Sequence, residues 1–188
     1  MVSKIDICNQ GLVLIGANLV ASFTDNTVES KVANQLYETT LRAMLTKARW
    51  RFATKQAQVT KVVTDPLDKW DSAYQIPNDT ILIHTATVSD NVIQYDRYNE
   101  FLYTNTGQND VVVLHYTYQP HEKEFPDYFT QALVFELASL FAGAIARNDQ
   151  LSLLYEKRAR QQLVVARSME SQTQTSRKLN TSLLIEVR

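Results

Sequence analysis

"TTLRAMLTKARWRFATKQAQVTKV", residues 39–62, changes character halfway along. Its first half spaces apolar residues as a helix does, its second half turns towards β-formers, and the seam carries Arg49-Trp50-Arg51-Phe52, with one of only two tryptophans in the chain. Val32, Leu36, Leu41, Leu45, Ala48 and Phe52 keep an approximately 3.6-residue period with no glycine or proline between them, which predicts a helix running to the aromatic pair. A tryptophan between arginines at a helix exit has three readings: a nucleic-acid stacking platform, a membrane anchor, or a plug that fixes how a helix meets a sheet.

Towards the N-terminus, Ile5, Cys8, Leu12 and Ile15 step by three and four residues, the stripe of a first helix that Gly16 would terminate. "SFTDNTVES" reads as a loop, with Asn26 and Glu29 spaced as a capping box for the long helix. Towards the C-terminus, "AQVTKVV", "DTILIHTATV", "NVIQYDRY", "FLYTN" and "DVVVLHYTY" are β-branched and aromatic runs separated by prolines and polar turns. They predict an antiparallel meander, with "FLYTNTGQNDVVVLHYTY" as its clearest hairpin. Helical spacing then returns after Pro126-Asp127 and continues to about Arg147. A last helix places Leu151, Tyr155, Ala159, Leu163 and Ala166 on one face, forming an antiparallel helical hairpin with its predecessor.

Separate blocks of helix and strand define an α+β fold. Residues 1–55 and 124–172 are expected to form a helical lobe of two N-terminal and two C-terminal helices, and residues 56–123 an inserted antiparallel β lobe. Residues 173–188 are expected to form an extended, flexible docking tail. That tail loses periodicity until Leu183, Leu184, Ile185 and Val187, apolar anchors for docking to a partner.

Composition excludes several classes of function. With 188 residues, 45% of them hydrophobic, the chain can bury a sizeable core. A formal net charge of −1 advertises no polyanionic partner overall. The longest apolar run, Ala132 to Ala146, is 15 residues and contains Glu136, too short and too charged for a membrane span. A lysine ahead of an apolar stretch imitates a signal peptide at the N-terminus, but Asp6, Asn9 and Gln10 interrupt it.

Candidate chemistry is sparse. His84, His115 and His121 have no cysteine or carboxylate at a zinc-ligand spacing, so no metal is expected. Cys8 falls on an apolar stripe, where free cysteine acts as a small hydrophobe. Four glycines leave no phosphate-cradling loop and no expected cofactor. Glu122, Glu124, Asp127 and Glu136 cluster in sequence, but glycoside cleavage needs two carboxylates about 5–10 Å apart across a cleft, and first-turn acids complementing a helix dipole explain Glu124 and Asp127. The chain is therefore read as a non-enzyme. "KARWRFATK" and "YEKRARQQLVVAR" each hold four cations, which keeps a DNA-facing surface as an alternative. The competing reading is a core stripe beside a solvated face, in which Glu156 and Arg160 pair across one helical turn.

The order of signals resembles the tail tubular protein A family of short-tailed bacteriophages and related head-to-tail adaptors. The resemblance rests on a first helix ending in Ile15-Gly16, a second finishing in Trp50-x-Phe52, and Tyr74-Gln75-Ile76-Pro77-Asn78-Asp79 ahead of the sheet, and it covers most of residues 3–170. Arg51 and Ile76 depart from the usual pattern, where Asn or another residue and Leu are common. The resemblance implies a structural ring, usually of twelve copies, between portal protein and tail nozzle protein. Such a ring encloses the channel and touches phage DNA transiently, in the virion neck after assembly and in the host cytoplasm before it. The tail is expected to meet the portal, and Trp50 with Phe52 to form a wedge fixing the angle between the lobes. A tail-associated peptidoglycan-cleaving enzyme and a DNA-binding module are the alternatives.

Overall fold

A computed structural model of the chain describes residues 2–62, 66, 69–107 and 109–173. Helix α1 (Lys4–Leu14) starts at a capping box in which the Ser3 hydroxyl accepts from the Asp6 N–H and the Asp6 carboxylate accepts from the Ser3 N–H. It ends before Gly16, whose φ of 73° is the left-handed geometry glycine adopts without penalty. The buried stripe is Ile7, Cys8 and Leu12, while Ile5 stays partly exposed. Gly11 lets α1 approach its neighbour closely, since a Cβ there would meet the Phe141 ring at 3.3 Å.

Helix α2 (Val28–Thr46) corrects the expected start and end. Thr27, not Asn26, is the cap: its hydroxyl accepts from the Ser30 N–H, and Glu29 is drawn off to accept from the Asn18 amide. The helix stops at Thr46 rather than reaching Phe52, and residues 48–53 turn before the first strand. The Trp50 indole N–H donates to the Met44 carbonyl at 2.9 Å, satisfying an acceptor at the helix end and folding the chain back.

After the sheet region, α3 (Asp127–Ala144) and α4 (Asp149–Gln172) form the expected antiparallel hairpin, although α3 stops short of Arg147. Reciprocal bonds join them: each of Ser139 and Ser152 donates its hydroxyl to the other's carbonyl. The helical core gathers Tyr37, Leu41, Leu45, Trp50, Phe129 and Phe141, all fully buried.

Among the described residues seven strands form two antiparallel sheets, an α+β arrangement in which the β part is more divided than a meander. One sheet has the order β1 (Thr54–Gln58), β7 (Val112–Thr117), β3 (Leu82–Val88), β4 (Asn91–Ile93). The other has the order β2 (Ser72–Gln75), β6 (Phe101–Thr104), β5 (Tyr95–Tyr98). They share a second core in which Ala86 and Leu114 of the first sheet meet Tyr74 and Leu102 of the second. The "FLYTN" and "DVVVLHYTY" runs are not a hairpin, because β6 and β7 belong to different sheets. Shorter closures win: β3 and β4 turn through Ser89-Asp90, both with positive φ, and β5 and β6 turn through Asn99-Glu100, with Asn99 at φ 54°. "NVIQYDRY" also splits, at Gln94, whose carbonyl is satisfied by the Thr104 hydroxyl at 2.7 Å as the chain changes sheets. Tyr74 and its neighbours, expected ahead of the sheet, are themselves strand β2.

Candidate interface at the helix-to-sheet junction

The Arg49–Phe52 turn sorts its side chains by polarity. Trp50 is fully buried, packed edge-on against Phe129 at 5.1 Å between ring centroids. Phe52, half-buried, adds edge contacts to Phe129 at 4.9 Å and to Phe125 at 5.9 Å. All four rings belong to the helical core rather than to the sheet core, so the aromatics anchor the root of β1 to α3. Phe52 lies beyond the end of α2 and does not extend its stripe. The sheet begins at once: the Thr54 hydroxyl donates to the Trp50 carbonyl at 2.6 Å, and the Tyr118 N–H donates to the Ala53 carbonyl.

A buried acid completes the joint. Glu170, only 6% exposed, accepts from the Arg51 backbone N–H at 2.6 Å and from the Tyr128 hydroxyl at 2.5 Å. The Arg51 guanidinium then donates to the Thr173 carbonyl, so the last turn of α4 is pinned to the junction. Burial first, and then this carboxylate, push the Tyr128 hydroxyl well above the ordinary tyrosine range. The signal was present in the sequence, because Glu170 continues the buried stripe of Tyr155, Ala159 and Ala166 at one more helical step, an acid on an apolar face.

While the rings point inward, the arginines line a cleft of about 710 Å³. Arg49 and Arg51 come from the turn, Gln56 from β1, His115 from β7, and Arg167 and Ser171 from α4, with Glu170 beside them. Among the described residues neither Arg49 nor Arg167 makes an ion pair. The lysines of "KARWRFATK" are paired, Lys47 with Glu136 at 2.7 Å and Lys55 with Asp79 at 3.0 Å while it also lies over the Tyr118 ring, and the Arg51 guanidinium is bonded to a carbonyl only. On α4, Arg160 bonds Glu156 and Arg158 lies over Tyr155.

The remaining candidates are dispersed. His84 is the extra residue of a β-bulge between Ile83 and Thr85, with Nε2 at 2.8 Å from the Thr117 hydroxyl. Burial first, and then the positive charges of Arg49 and His115, lower its pKa from the ordinary 6.5. The unfolded chain thus takes up a proton at a higher pH than the folded one, and folding stability declines as pH falls from about 6.5 through the lower folded value. Urea midpoints measured near pH 7.5 and pH 5 should show a smaller acid loss in His84→Gln than in the wild type; an identical loss would remove His84 from the account. Cys8 is fully buried, and desolvation pushes its thiol up to about 12, a setting for packing rather than attack.

The four clustered carboxylates do not converge. Glu122 accepts from Tyr37, Glu124 from Tyr118 and Glu136 from Lys47, while Asp127 sits in the first turn of α3. Among the described residues no group of three or more His, Cys, Asp or Glu could hold a metal ion, and no helix is long and apolar enough to cross a membrane. The anchors Leu183, Leu184, Ile185 and Val187 lie outside the described residues.

Two surfaces with exposed apolar residues remain on the helical lobe. Leu153, Leu154, Val164, Val165 and Met169 of α4 are 44–67% exposed; the first four fall on the side away from buried Tyr155, Ala159 and Ala166, and Met169 flanks that buried stripe. The second is a groove of about 980 Å³ between α1 and α3 whose lining is half apolar, including Val13, Leu19 and Phe135, and half polar, including Asp6, Asn9 and Gln131, with Val13 and Leu19 largely exposed. No protein-family model matches the chain, and no curated protein matches it.

Proposed function

We propose that the chain is a structural head-to-tail adaptor of a short-tailed phage, a ring-forming protein between portal and tail nozzle that encloses the DNA channel. The observation that carries this reading is the pair of unlike surfaces on one subunit, the exposed apolar residues of α4 and the mixed apolar and polar α1–α3 groove. A cyclic ring is built from heterologous contacts, one patch of each subunit meeting a different patch of the next, and two such patches are its minimum requirement. The locked junction supports the same reading, since angular error at each subunit would accumulate around a ring. The three motifs that carry the resemblance occupy structural joints: Gly16 ends α1, Trp50 and Phe52 root β1, and Tyr74 stands in β2.

The subunit is proposed to circulate as a monomer and to close into a ring on the portal. Its test is co-sedimentation with purified portal rings from the same phage. Wild-type protein is expected to pellet with the portal. Val164→Glu combined with Val165→Glu should lower that association at least tenfold while leaving thermal unfolding unchanged, because both side chains are exposed. Wild-type protein that stays in the supernatant would overturn the adaptor reading. The peptidoglycan-cleaving alternative draws no support from the geometry, because Glu122, Glu124 and Glu136 each bond a different side chain and Asp127 lies in the first turn of α3.

A further inference from the structure

We propose that the cleft between the Arg49–Phe52 turn, the edge of β1 and the end of α4 is a binding site for a phosphate-class oxyanion, held by Arg49, Arg51 and Arg167 with His115 and Gln56 as further hydrogen-bonding groups. Three guanidinium-bearing residues from chain segments more than a hundred positions apart meet in one concavity of about 710 Å³. Convergence of like charge is unfavourable unless something offsets it. The one carboxylate in the wall, Glu170, is already engaged by the Arg51 N–H and the Tyr128 hydroxyl, and it is nearly inaccessible. Arg49 and Arg167 have no ion-pair partner among the described residues, in contrast to Lys47, Lys55 and Arg160 on neighbouring surfaces. The same field reaches His84, whose protonation Arg49 and His115 oppose.

Guanidinium forks match the oxygens of phosphate in pairs, with shorter and stronger bonds than neutral donors make. His115 adds an imidazole whose Nδ1 is shared with the Gln56 amide at 3.3 Å, whereas the Thr54 and Ser171 hydroxyls in the wall are spent on the Trp50 and Ser168 carbonyls. The cleft is open on its outer side, since Arg49, Arg51 and Arg167 are all exposed. The phosphate can belong to a free small molecule or to a nucleic-acid backbone, and both present the same oxygens. This site does not depend on ring formation, so its failure and that of the adaptor reading are separable.

The experiment uses the full chain and three probes: inorganic phosphate, pyrophosphate and a fluorescein-labelled DNA duplex, the first two followed by thermal shift and the last by anisotropy over a salt series. Wild-type protein should bind at least one probe saturably. Arg49→Ala with Arg167→Ala should weaken that binding at least tenfold and, for duplex, lower the magnitude of the salt slope by about two. Lys157→Ala, a cation on the exposed side of α4 away from the cleft, should leave binding unchanged. Both cleft substitutions are at exposed side chains, and circular dichroism checks that the fold persists. Saturable pyrophosphate binding without duplex binding identifies a small-molecule site; duplex binding competed by pyrophosphate identifies a backbone site; either supports the proposal. No saturable binding of any probe, or equal affinities in wild type and double variant, would overturn it.

Discussion

Trp50→Ala should lower the stability of the folded chain by about 3–5 kcal/mol, at the top of the range for a single truncation. Trp50 is the largest of the fully buried side chains, and its removal opens a void among Phe52, Phe129 and the end of α2. It also takes away one of the two donors to the Met44 carbonyl, leaving the Lys47 N–H. Domains have only about 5–15 kcal/mol in total, so the variant should melt roughly 10 °C lower or fail to accumulate. Trp50→Phe separates the two contributions, because it keeps most of the ring packing and loses the indole bond, with an expected cost near 1–2 kcal/mol. Since the rings lie in the helical core, hydrogen exchange in Trp50→Ala should accelerate in α2 and α3 before it does in β3 or β7. Uniform acceleration across both cores would mean that the two lobes unfold as one unit.

Glu170→Ala is the second large effect, expected at about 2–4 kcal/mol. The substitution strands the Arg51 N–H and the Tyr128 hydroxyl in a site nearly closed to water. Glu170→Gln preserves the shape but offers one accepting oxygen where two are used, so an intermediate loss is expected. Tyr128→Phe gives the third corner of a double-mutant cycle, and a coupling of about 1 kcal/mol or more with Glu170→Ala would show that the two groups act together. Phenolate absorbance supplies an independent readout: removing the carboxylate should bring the Tyr128 titration part of the way down, the remainder being held up by burial. Tyr128 titration that does not move would place Glu170 elsewhere in solution.

These two residues also mark what local sequence pattern can and cannot carry. The four helices were readable because their apolar residues recur at 3.6-residue spacing, with Gly16 ending the first and Pro126-Asp127 opening the third, whereas the caps Ser3, Thr27 and Asn148 were not read. The end of α2 was misplaced because Ala48 and Phe52 happen to keep the helical period, whereas the chain obeys the indole bond to Met44 and leaves the helix at Thr46. Strand identity was mostly visible and strand pairing was not. Alternation fixes which face of β6 and β7 is buried, but both faces point into one shared core whether the strands lie side by side or on opposite sheets. The break at Gln94 has no local mark in a run of strand-formers, since its cause is the Thr104 hydroxyl ten residues later. The Arg51–Glu170 bond spans 119 positions, and the cleft depends on it, so the cation cluster could be read from sequence only as two unrelated basic stretches.

The physical theme is a division of labour within four consecutive residues. Trp50 and Phe52 fix the root of the sheet lobe to the helical lobe, and Arg49 and Arg51 face the solvent side of the same joint. A rigid joint with exposed apolar residues left over is what a repeating assembly needs, and a catalytic centre is not required for it.

The measurement that bears most directly on the adaptor proposal is electron microscopy of the full chain mixed with the portal ring of the short-tailed phage the proposal assigns it to, scored in side view. The proposal predicts an added layer of density beneath the portal, rotationally symmetric and absent when the α4 stripe carries Val164→Glu and Val165→Glu. Bare portal rings alongside unattached single subunits, at concentrations well above those reached in an infected cell, would contradict it.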